Sequence, residues 1–183
     1  MNSKENIIYR VAITGPESTG KSTLAQQLAN HYNTIWIPEF ARSYIENLHR
    51  DFAENDLLEI AKGQIESEEN SIGDANRLVF YDTELLVIKI WAEHKFGKVH
   101  PWILSKFHEI SYDLYLLTDI DLPWKFDPQR ENPDKGMYFF NWFKRELHEK
   151  NVLFDVVSGD EHSRLKNAIT KVDKLLDSNL FQQ

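Results

Sequence analysis

The segment Gly15-Pro16-Glu17-Ser18-Thr19-Gly20-Lys21-Ser22 has the spacing G-x-x-x-x-G-K-[ST]. It follows an apolar, β-rich run and opens a helical one, which is the setting this spacing needs in order to hold phosphate. Glycines let the chain curl so that successive backbone N–H groups converge on phosphate oxygens, and the helix N-terminus adds partial positive charge. Lys21 is then placed to reach β and γ phosphates. The Ser22 hydroxyl is placed to ligate magnesium, and Thr23 to touch the α phosphate. Glu17, Ser18 and Thr19 lie on the loop itself. The expectation is a site for ATP or a related nucleotide with Mg2+, against the plainer alternative of a tight strand-to-helix turn.

The elements that must carry this loop follow from patterning. Five runs read as strands: Ile7 to Thr14, Thr34 to Ile37, Leu78 to Tyr81, Leu114 to Thr118 and Leu153 to Val157. Helical spacing fills the gaps, at Lys21 to His31, Asp56 to Ile72, Thr83 to Phe96, Pro101 to Ile110, Met137 to Glu149 and His162 to Leu176. Strands alternating with helices predict an α/β fold, a five-stranded parallel sheet flanked by helices. Asp119 to Gly136 carries Pro123, Pro128 and Pro133 and reads as a long loop, either a functional lid or a surface insertion.

Composition narrows the classes further. With 183 residues, no repeat and no linker, one domain spanning 1–183 is expected. The formal charge of −8 argues against a nucleic-acid surface, which needs an excess of lysine and arginine. The absence of cysteine excludes disulfides and thiol catalysis and fits the reducing cytoplasm. Met1 to Ile8 lacks the pattern of a signal peptide, and no apolar run reaches membrane-spanning length. The partners expected are therefore small molecules, with no nucleic acid and no membrane; a homo-oligomer is compatible with everything above. His94, His100 and His108 lack the spacing of a metal site, so no transition metal is assigned.

In chain order, GPESTGKSTL, PEFARSYI, YDTELLVIKIWAEHKFG and LPWKFDPQR resemble the ribosylnicotinamide kinase domain of NadR-type proteins. The resemblance runs from Ile13 to Arg130, with a fainter echo at Ser158 to Arg164. It implies a P-loop NTPase fold of the nucleoside and nucleotide kinase type, with ATP phosphorylating the 5′-hydroxyl of nicotinamide riboside. NadR-type proteins carry an adenylyltransferase domain ahead of the kinase. The chain ahead of Gly15 is too short for one, so neither adenylyl transfer nor DNA-binding repression is carried over. The alternatives are a kinase for another nucleoside or nucleoside monophosphate, and a P-loop ATPase serving as a regulatory module.

Under the kinase reading the remaining polar residues acquire roles. Glu39 and Arg42 follow the second strand, at the sheet edge where α/β proteins build sites. Glu39 would bind a ribose hydroxyl or magnesium-bound water, and Arg42 phosphate or sugar; a helix cap and a surface ion pair are the alternatives. Asp82 ends the third strand and could order magnesium through water, take the proton of the attacking hydroxyl, or merely cap a helix. Arg130, ahead of Lys125, would stabilise the transferring phosphoryl group from the loop. Trp124 would stack on a cationic ring or pack the loop, and Trp91 and Trp102 read as core. Ser158 and Arg164 would border the adenine, unless Asp160 only caps the last helix.

Overall fold

The computed structural model describes residues 7–180, so most of the N-terminal stretch read above as unlike a signal peptide lies outside the described residues. The strands are β1 (Tyr9–Thr14), β2 (Ile35–Ile37), β3 (Leu78–Asp82), β4 (Leu114–Thr118) and β5 (Phe154–Val157). They form one sheet in the order β2-β3-β1-β4-β5, and every pairing is parallel. The register sets Ile13 beside Asp82 on one side and Thr14 beside Leu117 on the other, so the phosphate loop leaves the sheet between the ends of β3 and β4.

A parallel sheet covered on both faces needs strands that are apolar on both, and β3 and β4 are buried along their whole lengths. Their side chains alternate between two cores. Val11, Ile13, Phe80 and Leu116 face α1 (Lys21–His31) and α7 (Glu161–Leu180). Ala12, Tyr81 and Leu117 face α3 (Glu54–Ser71), α4 (Leu85–Phe96), α5 (Pro101–Glu109) and α6 (Gly136–Glu149). Among the described residues no helix is long and apolar enough to cross a membrane.

The structure departs from the sequence reading in several places. A short helix, α2 (Phe40–Glu46), follows β2 where none is expected. Helix α3 starts at Glu54, since the Asp56 carboxylate accepts the Ala53 N–H at 2.7 Å and so caps a turn further back. Helix α4 starts at Leu85, because Thr83 has a left-handed φ of 70° and belongs to a turn. Helix α7 runs on to Leu180.

One polar cluster crosses the apolar layer on the α3 side. Arg10 on β1 pairs with Glu68 of α3 at 3.0 Å and donates to the Tyr81 hydroxyl, while the Tyr112 hydroxyl donates to Glu68 at 2.9 Å. Burial outweighs these bonds and pushes the Glu68 carboxyl up to about 7; it does the same to Glu84. Between these values and the ordinary 4.5, both groups therefore hold protons in the folded chain that the unfolded chain has already lost. The stability they confer is complete below about pH 4.5 and declines as pH rises toward and through about 7. Asp56 is held well below the usual carboxylate range by Arg50, so its opposite contribution is lost only in strong acid. The melting temperature is expected to fall between about pH 5 and pH 8, and Glu68→Gln to flatten that slope. Calorimetry across this range checks it, and an equal slope in the variant would refute it.

Candidate active site

The phosphate loop is shaped by a close backbone approach. Gly15 has φ 137°, and a Cβ there would stand 2.5 Å from Oγ1 of Thr118, the last residue of β4. Only glycine fits. Thr118 and Thr19 are both buried and their hydroxyls meet at 2.6 Å, and the Thr19 hydroxyl also bonds the Pro16 carbonyl at 2.8 Å. Gly20, with φ 76°, stands at the N-cap of α1 and provides no side-chain cap. The first N–H groups of α1 are thus left for an anion, as the spacing of the loop requires.

Lys21 opens α1, and its Nζ donates to the Pro16 carbonyl at 2.6 Å. Burial lowers its pKa, opposed by the charges of Glu39, Asp82 and Glu17. Burial raises all three of those carboxyls, and Lys21 pulls each back down. The structure thus gathers Lys21, Glu17, Glu39 and Asp82, drawn from the phosphate loop and the ends of β2 and β3. Asp82 is bordered by the Ser22 hydroxyl, and its Oδ1 is buried with no hydrogen-bond partner.

Neither Glu39 nor Asp82 is a cap. The N-cap of α4 is Glu84, whose carboxylate accepts the Leu86 N–H at 2.7 Å and the Thr14 hydroxyl at 2.9 Å. Glu39 occupies the N-cap position of α2 without a side-chain bond, and the Phe40 N–H is taken at 2.9 Å by Gln64 of α3. Both acids are free to face the site.

The proline-rich loop from 119 to 136 lies over the phosphate loop. Ser18 Oγ accepts the Lys125 N–H at 2.8 Å, and the Glu17 carboxylate accepts the N–H groups of Glu131 and Asn132 at 3.2 Å. Arg130 bonds the Lys125 carbonyl at 2.5 Å and approaches Ser18 Oγ at 3.5 Å. Arg42 is exposed and joins the loop through Asp127 at 2.9 Å, which is also what raises its pKa. Beneath the loop is a cavity of about 60 Å³ bordered by Gly15, Lys21, Glu39, Arg42, Trp91 and Arg130. Trp91 also borders a second hollow, of about 130 Å³, with Phe52, Arg50, Asp51 and His94.

Three expected positions need revision. Trp124 does not join Glu39 and Arg42. The bond from Lys125 to Ser18 fixes that stretch over the outer side of the phosphate loop, so Trp124 borders a separate hollow with Ser18, Thr19, Leu122 and Met137. The tryptophan at the cavity is Trp91, read as core from its helical spacing; it sits on the helix that starts beside Asp82, which is the signal that could have found it. Arg164 is 2% exposed and spends its guanidinium on the carbonyls of Val157 and Asp119 and on the Asp121 carboxylate. It borders a hollow with Ser18, Gly20 and Thr23 and braces the loops there instead of lying open to a base. Nearby, the Ser158 carbonyl accepts a bond from Asn167 at 3.0 Å and Asp160 caps α7 through Ser163 at 2.8 Å.

The strand order, the phosphate loop on the central strand, the acid on the neighbouring strand and the overlying loop together define the P-loop fold of the nucleoside and nucleotide kinase type. The chain belongs to the AAA domain family, which matches residues 10–164. It is 29% identical over 180 residues to the trifunctional NAD biosynthesis/regulator protein NadR of Escherichia coli, a match covering 94% of this chain and 44% of that protein. The NadR of Salmonella typhimurium is also 29% identical, over 181 residues. The chain thus spans less than half the length of the curated relatives it matches. Among solved structures, a NadR protein in complex with NR superposes with a TM-score of 0.78 at 22% identity, over 92% of this chain and 50% of that one. Thymidylate kinase from Ehrlichia chaffeensis gives 0.66 at 14% identity, over 92% and 99%. At these identities the solved structures establish the fold.

Replacing Lys21 by alanine is expected to leave the melting temperature near that of the wild type and to reduce ATP-driven phosphoryl transfer at least ~100-fold, since it removes the cation among the carboxylates. Coupled-enzyme detection of ADP checks it, and unchanged turnover would refute the phosphate loop. Arg130→Ala is expected to lower kcat more than ATP affinity. Equal losses in turnover and in calorimetric binding would mean that Arg130 acts alike in ground and transition states.

Proposed function

We propose that this chain transfers the γ-phosphoryl group of ATP to the 5′-hydroxyl of nicotinamide riboside, giving nicotinamide mononucleotide and ADP. The observation that carries the reading is the pair of carboxylates, Glu39 and Asp82, that cap no helix and are gathered with Lys21, beside a cavity that Lys21, Glu39 and Trp91 line. An alcohol acceptor needs one group to take its proton and another to hold its sugar, and these two acids stand free for both. Trp91 offers an aromatic wall to a cationic ring. The choice of nicotinamide among nucleosides is supported by the likeness to NadR proteins.

In the reaction the phosphates of ATP occupy the phosphate loop, where the free N–H groups of α1 receive them. Lys21 exchanges the Pro16 carbonyl for the β and γ phosphate oxygens. The residues fit a hydrated magnesium ion. Asp82 has a buried oxygen without a partner beside Ser22, and carboxylates facing a polyphosphate repel it unless a cation stands between them. Ser22, and Asp82 through water, would hold the ion, and it would neutralise charge on the phosphates. Asp82, its basicity raised by burial, accepts the 5′-hydroxyl proton as the new O–P bond forms and the bond to ADP breaks. Glu39 holds a ribose hydroxyl. Arg42, released from Asp127, steadies the sugar, and Arg130 and Lys21 stabilise charge on the phosphoryl group in flight.

Incubation of the protein with Mg·ATP and nicotinamide riboside is expected to yield nicotinamide mononucleotide and ADP in equal amounts, read by chromatography. ADP release that ignores every nucleoside in a panel would refute the kinase reading in favour of an ATPase module. Asp82→Asn, nearly isosteric, is expected to keep the melting temperature and lower kcat ~10²- to 10⁴-fold. Partial recovery at raised magnesium would assign the charge to the metal, no recovery to the proton, and wild-type turnover would pass the role to Glu39.

A further inference from the structure

Thr83 joins Asp82 to Glu84 with φ 70°. A β-branched residue takes this left-handed conformation only where its surroundings over-determine it, at a cost on the order of 1–3 kcal/mol. Two sets of bonds surround it. The Thr83 N–H donates to the Ile13 carbonyl of β1 at 3.1 Å. The Glu84 carboxylate, in a residue 1% exposed, accepts from the Leu86 N–H with one oxygen and from the Thr14 hydroxyl with the other. Thr14 is the last residue of β1, and the phosphate loop begins at the next one. A single buried carboxylate thus ties the first turn of α4 to the root of the phosphate loop, and the strained residue lies between it and Asp82.

The geometry also contains a competition. A helix N-terminus takes whichever acceptor nearby can reach it. Asp82 and the Thr83 hydroxyl both precede Glu84, and an aspartate is among the best capping residues. Because Glu84 holds the position, Asp82 keeps an oxygen buried and unpartnered at the site. We propose that Glu84 is the positioning residue of the transfer site: it caps α4 in place of Asp82 and, through Thr14, holds the turn at Thr83 so that Asp82 stays against Lys21 and Ser22. This rests on the reading of Asp82 as the acid of that site.

The test compares Glu84→Ala, Glu84→Gln, Thr14→Val and the double variant Glu84→Ala with Thr83→Gly. For each, kcat, acceptor KM, melting temperature and the magnesium dependence of binding a non-hydrolysable ATP analogue are measured. Glu84→Ala is expected to lose ~100-fold in kcat, the cost of a displacement of about 1 Å at a reacting group, with KM within about threefold. Glutamine retains an acceptor for Leu86 and a polar group for Thr14, so Glu84→Gln is expected to stay within about fivefold of wild type. Thr14→Val breaks only the tie to β1 and is expected to lose roughly tenfold. Glycine adopts the turn without strain, so Thr83→Gly is expected to return about tenfold of the lost kcat.

A purely structural glutamate would lower the melting temperature and leave kcat of the folded protein unchanged. That result in Glu84→Ala, or in Thr14→Val if the alanine variant does not fold, overturns the proposal. Failure of the wild type to phosphorylate any nucleoside would sink the substrate reading alone. The positioning role is then decided by analogue binding: a loss of about tenfold in its magnesium enhancement in Glu84→Ala or Thr14→Val supports it, and an undiminished enhancement overturns it.

Discussion

The site depends first on a contact with no room in it, Gly15 against Thr118. Parallel strands β1 and β4 end side by side, and the chain leaving β1 must turn within van der Waals reach of the β4 terminus. A side chain at position 15 would push the loop off the sheet and carry with it the root of α1, hence the free N–H groups and Lys21. The Thr118 hydroxyl then bonds the loop it would otherwise exclude, through Thr19 and the Thr14 carbonyl. Sheet register, loop curvature and helix direction are therefore one constraint, and the overlying residues adapt to it.

Around that scaffold the fold accepts unfavourable burial of acids. Glu17, Glu39 and Asp82 are all raised by desolvation, and Lys21, itself lowered by desolvation, cannot satisfy all three. Clusters of this kind concentrate at functional sites. The compensation is placed nearby. Gln64 takes the N-terminal N–H of α2, which Glu39 at the N-cap leaves unbonded, and Glu84 rather than Asp82 caps α4. Gln64 is in turn bonded to Glu68, so the N-terminus of α2 is joined to the polar cluster around Arg10.

What the sequence discloses follows the range of the interactions involved. The phosphate loop is legible because its chemistry is local, and β1, β3 and β4 because burial on both faces leaves continuous apolar runs. Helix α2 is not. It is seven residues long, below the length at which helical propensity counts for much, and it is held by packing of Phe40 against Gly63, where a side chain would overlap the ring. Glu84 was hidden because its partner Thr14 is 70 positions away, and Gln64 because Phe40 is 24 away. Trp91 reads as core because periodicity reports which face of a helix is apolar and says nothing about whether that face borders a cavity, and the place of Trp124 depends on a loop fixed by a bond between residues 107 positions apart.

The overlying loop carries a further consequence. Ser18, Glu17 and Arg42, groups suited to ligands, are already engaged by Lys125, Asn132 and Asp127, and these bonds hold the loop down over the cavity. The chain is thus its own first ligand. A substrate that takes up Ser18, Glu17 or Arg42 must displace these contacts, so its apparent affinity is its intrinsic affinity diluted by the fraction of molecules in which they are broken. Whichever substrate arrives first bears that expense, and the second finds it already met.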